Sequence, residues 1–154
     1  MEATLDGILA MAIASEEAAI ELYRGLAQMV DDDSTREALE YLAEEEVQHR
    51  SLLESYKRGE IKEGALAPQS VINPRIVEYL GAPTFDSQWS PQDAFLVAAK
   101  QEHAAYEFYT MLAEQHPEGE ARELLNSLAR QELAHKERVE YIYANTAFPQ
   151  TDGG

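Results

Sequence analysis

Cysteine is absent from this chain. That excludes disulfides, thiolate zinc sites and cysteine-held iron–sulfur or rubredoxin centres. Positive charge is scarce: 12 Lys and Arg stand against 29 Asp and Glu, a formal net charge of −17. No nucleic-acid partner is expected, because phosphate would be repelled. Anionic membrane surfaces are disfavoured for the same reason. No apolar run approaches the ~20 residues of a membrane-spanning helix. The segment Met1–Asp6 is acidic and has no basic n-region. The expectation is therefore no secretory signal and a cytoplasmic protein.

What is present is a repeat. Glu16, Ala19, Tyr23, Glu46 and His49 return as Glu102, Ala105, Tyr109, Glu132 and His135, all at an offset of 86 residues. Windows 12–27 and 36–49 share 15 identities in 30 positions with their counterparts. Unrelated sequence would share roughly 2, so the two halves repeat one unit.

The hydrophobic fraction of 45% and the length of 154 residues suit one domain, 1–154, with a proper core. Helical periodicity predicts four segments. The first, about 5–30, carries Leu9, Ala12, Glu16, Ala19, Tyr23, Leu26 and Val30 on one stripe. The second, about 35–58, carries Leu39, Leu42, Glu46, His49 and Leu53, with Ser34 and Glu37 as a capping box. Ser90-Pro91 opens the third, with Phe95, Ala98, Glu102, Ala105, Tyr109 and Leu112. The fourth, about 120–144, carries Leu125, Leu128, Glu132, His135, Val139 and Ile142, and a tail 145–154 follows. Residues 59–90 hold three of the six prolines and three of the eight glycines, which marks a linker. Val71–Leu80 within it is expected to form a short helix. Short links make hairpins of 5–58 and 91–144, and the long linker joins them. The expected fold is all-α, a ferritin-like four-helix bundle of two helical hairpins with one long crossover.

Glu16, Glu46, Glu102 and Glu132 each interrupt an apolar stripe. An unpaired buried carboxylate costs several kcal/mol or protonates. Two divalent cations would neutralise all four. The i,i+3 spacing sets Glu46 beside His49 and Glu132 beside His135. Each Glu-x-x-His would give one metal an imidazole while its carboxylate bridges, and Glu16 and Glu102 would be terminal ligands. Oxygen-rich ligation with one imidazole per metal suits iron, with manganese or zinc as substitutes. Tyr23 and Tyr109 lie on the ligand faces, either as core aromatics or as hydrogen-bond support for the ligand carboxylates. Tyr106, Glu45 and Glu17 are weaker candidates for such support. His103 and His116 lack histidine counterparts and are expected at the surface. Met11, Met29 and Met111 are expected in the core.

Glu16-x-x-Ala19-x-x-x-Tyr23 with Glu46-x-x-His49, repeated from Glu102 to His135, resembles the rubrerythrin branch of the ferritin-like di-iron carboxylate superfamily. The resemblance covers roughly residues 8–57 and 94–144. It implies a di-iron centre in a four-helix bundle, an oxidoreductase that reduces hydrogen peroxide or dioxygen, a role in oxidative stress, and a homodimer. Rubrerythrin proper carries a rubredoxin domain with four cysteines, absent here, so the resemblance implies an external electron donor. It also has a further Glu three residues after its third-helix ligand, where this chain has Ala105. The six-ligand set that remains is closer to a ferroxidase centre. Alternatives are iron handling without turnover, a di-iron oxygenase that would need an apolar pocket, and an acidic helical interaction module.

Overall fold

The structure, a computed structural model, describes residues 3–81 and 84–147. Four long helices dominate it: α1 (Leu5–Met29), α2 (Asp33–Lys57), α3 (Pro91–Glu114) and α4 (Glu120–Ala147). α1 packs along α2, and α3 along α4, as two hairpins. The hairpins meet through α1 against α3 and α2 against α4. The expected all-α bundle with one long crossover is what the chain forms. The fourth helix runs three residues past its expected end, and residues 148–154 of the expected tail lie outside the described residues.

Each helix starts where local chemistry satisfies its free N–H groups. Thr4 Oγ1 accepts from Gly7 N at 3.2 Å. Ser90 Oγ accepts from Asp93 N at 3.1 Å, with Pro91 in the first turn. At α2 the expected cap is corrected. Asp32, not Ser34, is the capping residue: its Oδ2 accepts from Thr35 N, Thr35 Oγ1 and Ser34 Oγ at 2.7–2.8 Å. A carboxylate that can take three donors outcompetes a single hydroxyl.

The crossover is pinned to the bundle along its length. A two-residue strand β1 (Ala3–Thr4) pairs antiparallel with β2 (Val71–Ile72), Ala3 opposite Ile72. Ser70 and Pro68 carbonyls take the N–H groups of Leu5 and Asp6 at 2.9 Å. The short helix expected over Val71–Leu80 is a 3₁₀ helix, Pro74–Tyr79, and its Ile76 is fully buried. Ala121 N donates to Glu63 O at 3.0 Å, which ties the crossover to the start of α4. Gly119 makes this approach possible. It has φ +153°, and a Cβ there would lie 2.9 Å from Glu63 O.

The apolar stripes bury as two separate clusters. One gathers Leu9, Leu53, Tyr109, Leu112, Leu125 and Leu128. The other gathers Tyr23, Leu26, Leu39, Leu42, Phe95 and Val139. Between them lies a layer of polar side chains. Two expectations fail on burial. Met11 is 45% exposed rather than in the core. His116 is 2% exposed rather than at the surface, whereas His103 is exposed as expected. His116 Nδ1 donates to Leu112 O at 2.8 Å, so its Nε2 accepts the Tyr56 hydroxyl at 2.7 Å. Tyr56 oxygen in turn accepts Leu66 N at 3.2 Å. Burial holds the His116 pKa below its ordinary value, as a neutral acceptor requires.

Candidate metal centre

The polar layer consists of Glu16 from α1, Glu46 and His49 from α2, Glu102 from α3, and Glu132 and His135 from α4. All six are buried, none more than 4% exposed. Their ligand atoms form two overlapping groups: Glu16, Glu46, His49 and Glu132, then Glu46, Glu102, Glu132 and His135. Within each group the atoms lie within 4.8 Å of one another. Glu46 and Glu132 belong to both, and Glu16 and Glu102 to one each. The structure thus brings together all six residues singled out by the repeat. The two imidazoles stack nearly parallel, with centroids 5.5 Å apart and a 9° tilt.

His49 Nδ1 lies 2.6 Å from Glu132 Oε1, and His135 Nδ1 lies 2.6 Å from Glu46 Oε1. Tyr23 donates its hydroxyl to Glu102 Oε1 at 2.8 Å, and Tyr109 donates to Glu16 Oε1 at 2.6 Å. Each tyrosine therefore reaches across to the ligand of the opposite hairpin. Tyr106 sits half-buried against the first cluster, with its ring near His103 instead. Glu17 is exposed. Glu45, by contrast, lies 3.2 Å from His135 Nε2. Gln131, which the sequence reading passed over, accepts from His49 Nε2 at 2.9 Å. Its signal was present: it stands next to a repeated ligand, on the helix that faces His49.

The charges in this layer are costly. Among the described residues no lysine or arginine is buried, so none neutralises the carboxylates. Burial, and then the charge of Glu46, pushes Glu16 well above the usual carboxylate range. Burial and Glu102 do the same to Glu132, and burial with Glu46 raises Glu102. Burial also pushes Glu46 up, but the close approach of Glu16, His135 and His49 outweighs it and holds Glu46 below the ordinary range. For His135, burial is overcome by the neighbouring Glu102 and Glu46 carboxylates, which push it up to about 10. His49 is raised for a similar reason, through Glu46. Burial and the neighbouring carboxylate charges raise Tyr23 and Tyr109 well above 10, so both hydroxyls stay donors.

These residues fit a pair of divalent cations. Glu16 Oε2, Glu46 Oε2, Glu102 Oε2, Glu132 Oε1 and His49 Nδ1 are buried without a hydrogen-bond partner. The close His49–Glu132 approach does not change this, because its direction is not that of a hydrogen bond. Each buried polar atom left unsatisfied costs about 1–3 kcal/mol. Five such atoms, gathered in two overlapping groups, could ligate cations. The donor set is mostly carboxylate oxygen with one imidazole per group, which suits iron or manganese.

The rubrerythrin family model matches residues 7–143. The chain belongs to the rubrerythrin family. The resemblance carried by the repeated Glu and Glu-x-x-His residues therefore holds. In three dimensions this rubrerythrin-family chain is similar to a hypothetical protein from Pyrococcus furiosus, at 28% identity and a TM-score of 0.73. That match covers 96% of this chain and 93% of the other. It is also similar to a Thermotoga maritima protein described as a ferritin-like diiron-carboxylate protein, at 16% identity and a TM-score of 0.75. Coverage there is 94% and 97%, and at that identity the likeness establishes a ferritin-like fold alone. No curated protein matches the sequence significantly. Among the described residues, no helix is long and apolar enough to cross a membrane.

Proposed function

We propose that the six side chains hold two iron ions and that the protein is an oxidoreductase reducing hydrogen peroxide or dioxygen. The observation that carries this reading is the pair of buried four-residue groups sharing Glu46 and Glu132, in a chain of the rubrerythrin family. Two iron ions would supply a one-electron change each, matching the two electrons that peroxide accepts. His49 and His135 would hold the ions through Nδ1, with Glu46 and Glu132 shared by both positions and Glu16 and Glu102 each serving one. Tyr23 and Tyr109 hold the terminal carboxylates in orientation through Oε1 and leave Oε2 for ligation. The two apolar clusters exclude water from either end of the polar layer.

Small oxidants would enter from a groove of about 480 Å³ between α2 and α4. Its lining includes Ser34, Glu37, Glu45, His135 and Arg138. Ala38, Tyr41, Leu42 and Ala134 complete the lining, a mixed wall that would admit a small oxidant. These 154 residues hold no cysteine and so supply no thiolate-held electron carrier, and the electron donor we infer lies outside them. A cytoplasmic homodimer acting against oxidative stress is the setting we infer. Ala105 favours a second reading, a ferroxidase, because it leaves the symmetric six-ligand set without a further carboxylate.

Elemental analysis of protein purified without added metal should find two metal ions per chain. Glu46→Ala should bring total occupancy well below one, since Glu46 belongs to both groups. Anaerobic stopped-flow mixing then decides the oxidant. Peroxide should oxidise the iron-loaded protein much faster than an equal concentration of dioxygen. An equal or higher rate with dioxygen would favour the ferroxidase reading.

A further inference from the structure

The repeat is close to symmetric in the residues that face the two cation positions, but not in the residues behind them. His49 turns Nε2 away from the centre to Gln131 Oε1 at 2.9 Å. His135 turns its Nε2 to Glu45 Oε1 at 3.2 Å. Glu45 and Gln131 are separated by the same 86 residues that relate the two ligand sets, so they occupy equivalent places. One imidazole is thus backed by a carboxylate and the other by a neutral amide.

Hydrogen-bond direction sharpens the contrast. Gln131 donates its Nε2 to Ser127 Oγ at 3.1 Å, which leaves its carbonyl oxygen to accept from His49. Each ring turns Nε2 outward as a donor and Nδ1 toward the centre, where His135 Nδ1 also donates to Glu46 Oε1 at 2.6 Å. With a cation in place both rings would keep the proton on Nε2, and the charge behind each ring is what would differ. A carboxylate accepting from the far nitrogen makes an imidazole a stronger donor to a cation, because the partial positive charge on the ring is shared with an anion.

Building on the di-metal reading above, we propose that the two cation positions are unequal and that Glu45 is the positioning residue that makes them so. The position held by His135, Glu102 and the shared Glu46 and Glu132 binds more tightly and fills first. The position held by His49 and Glu16 fills second. Outer partners of metal-bound histidine are worth about 10–100-fold in metal affinity. Glu45 is a quarter exposed on the groove between α2 and α4, so water screens it and the lower end of that range applies.

The test titrates Co²⁺ into metal-free full-length protein against a competing chelator, followed by absorption, with hyperfine-shifted imidazole proton resonances showing which histidine is ligated. Wild type should bind two ions, with the His135 resonances shifting first. Glu45→Gln keeps an acceptor but removes the charge, and should weaken the first step about tenfold. Gln131→Glu should strengthen the second step by a similar factor. A packing role for these side chains would weaken binding in both variants, so the opposite signs are the discriminating result. Two ions bound with His49 and His135 shifting together, or Glu45→Gln leaving the first step unchanged, would overturn the inequality and leave the di-metal reading standing. Failure of wild type to bind any Co²⁺ would overturn both.

Discussion

Removing one hydroxyl at the edge of the polar layer separates a ligand-support role from a packing role. Tyr109→Phe deletes the donor to Glu16 Oε1 at 2.6 Å and nothing else, because the ring stays in its site. Tyr109 is 2% exposed, so water does not replace the lost bond. With a cation present Glu16 is an anion, and a hydrogen bond to a charged group is worth about 1.5–3 kcal/mol. At about 1.4 kcal/mol per decade, that is roughly a 10–100-fold loss of metal affinity. In the metal-free protein Glu16 is pushed well above the carboxylate range and tends to hold a proton. The bond is then one between neutral groups, worth about 0.5–1.5 kcal/mol, and the melting temperature should fall by only about 1–6 °C. Tyr56→Phe is the control: its hydroxyl is also hydrogen-bonded, but to His116, away from the centre. It should lower the melting temperature without changing metal affinity. Affinity is read by competition with a chromophoric chelator, and stability by thermal melting of chelator-treated protein. If Tyr109→Phe keeps affinity within twofold of wild type, the hydroxyl is a buried packing feature and the argument fails.

Two further outcomes follow from other parts of the structure. The gap in melting temperature between loaded and metal-free protein should widen as pH rises from about 6 to 9. Metal-free stability falls over this range: His135, raised to about 10, contributes fully below its unfolded value of 6.5 and loses that contribution as pH climbs toward 10, while metal binding gains as protons leave the ligands. Melts in matched buffers with and without chelator check this, and a constant gap would count against it. Gly119→Ala should destabilise the protein by about 1–3 kcal/mol in chemical denaturation, because alanine is strained at φ +153° and its Cβ would press on Glu63 O; an unchanged midpoint would mean that the crossover is not anchored there.

The long helices were legible because four stripes keep a helical period, and the polar layer was legible because carboxylates sit inside those stripes at one repeated offset. What stayed hidden involved partners far apart in sequence or competition between neighbours. The β1–β2 pair has two residues per strand, too few for any periodicity, and its partners are separated by the length of the first hairpin. At α2, three consecutive aspartates offered several caps, and Asp32 won by taking three donors at once. His116 was misread from the lack of a histidine counterpart. The better signal was that its counterpart, Val30, is apolar, and Val30 is itself buried. Met11 shows the opposite failure, a hydrophobic residue off the stripe and left in solvent.

Each tyrosine–carboxylate bond, and each of the shortest imidazole–carboxylate contacts, runs from one hairpin to the other. Neither hairpin keeps these partners to itself, so the polar layer is a seam. A half-length chain pairing with a second copy of itself would bring up the same set of groups, related by a two-fold axis. Residues 58–90 turn that meeting into an intramolecular one. They act as a tether that holds each half at a millimolar-scale effective concentration of the other. Assembly of the centre thereby becomes independent of how dilute the protein is. The tether also frees the two halves to diverge, since a substitution such as Gln131 opposite Glu45 appears once per molecule instead of twice.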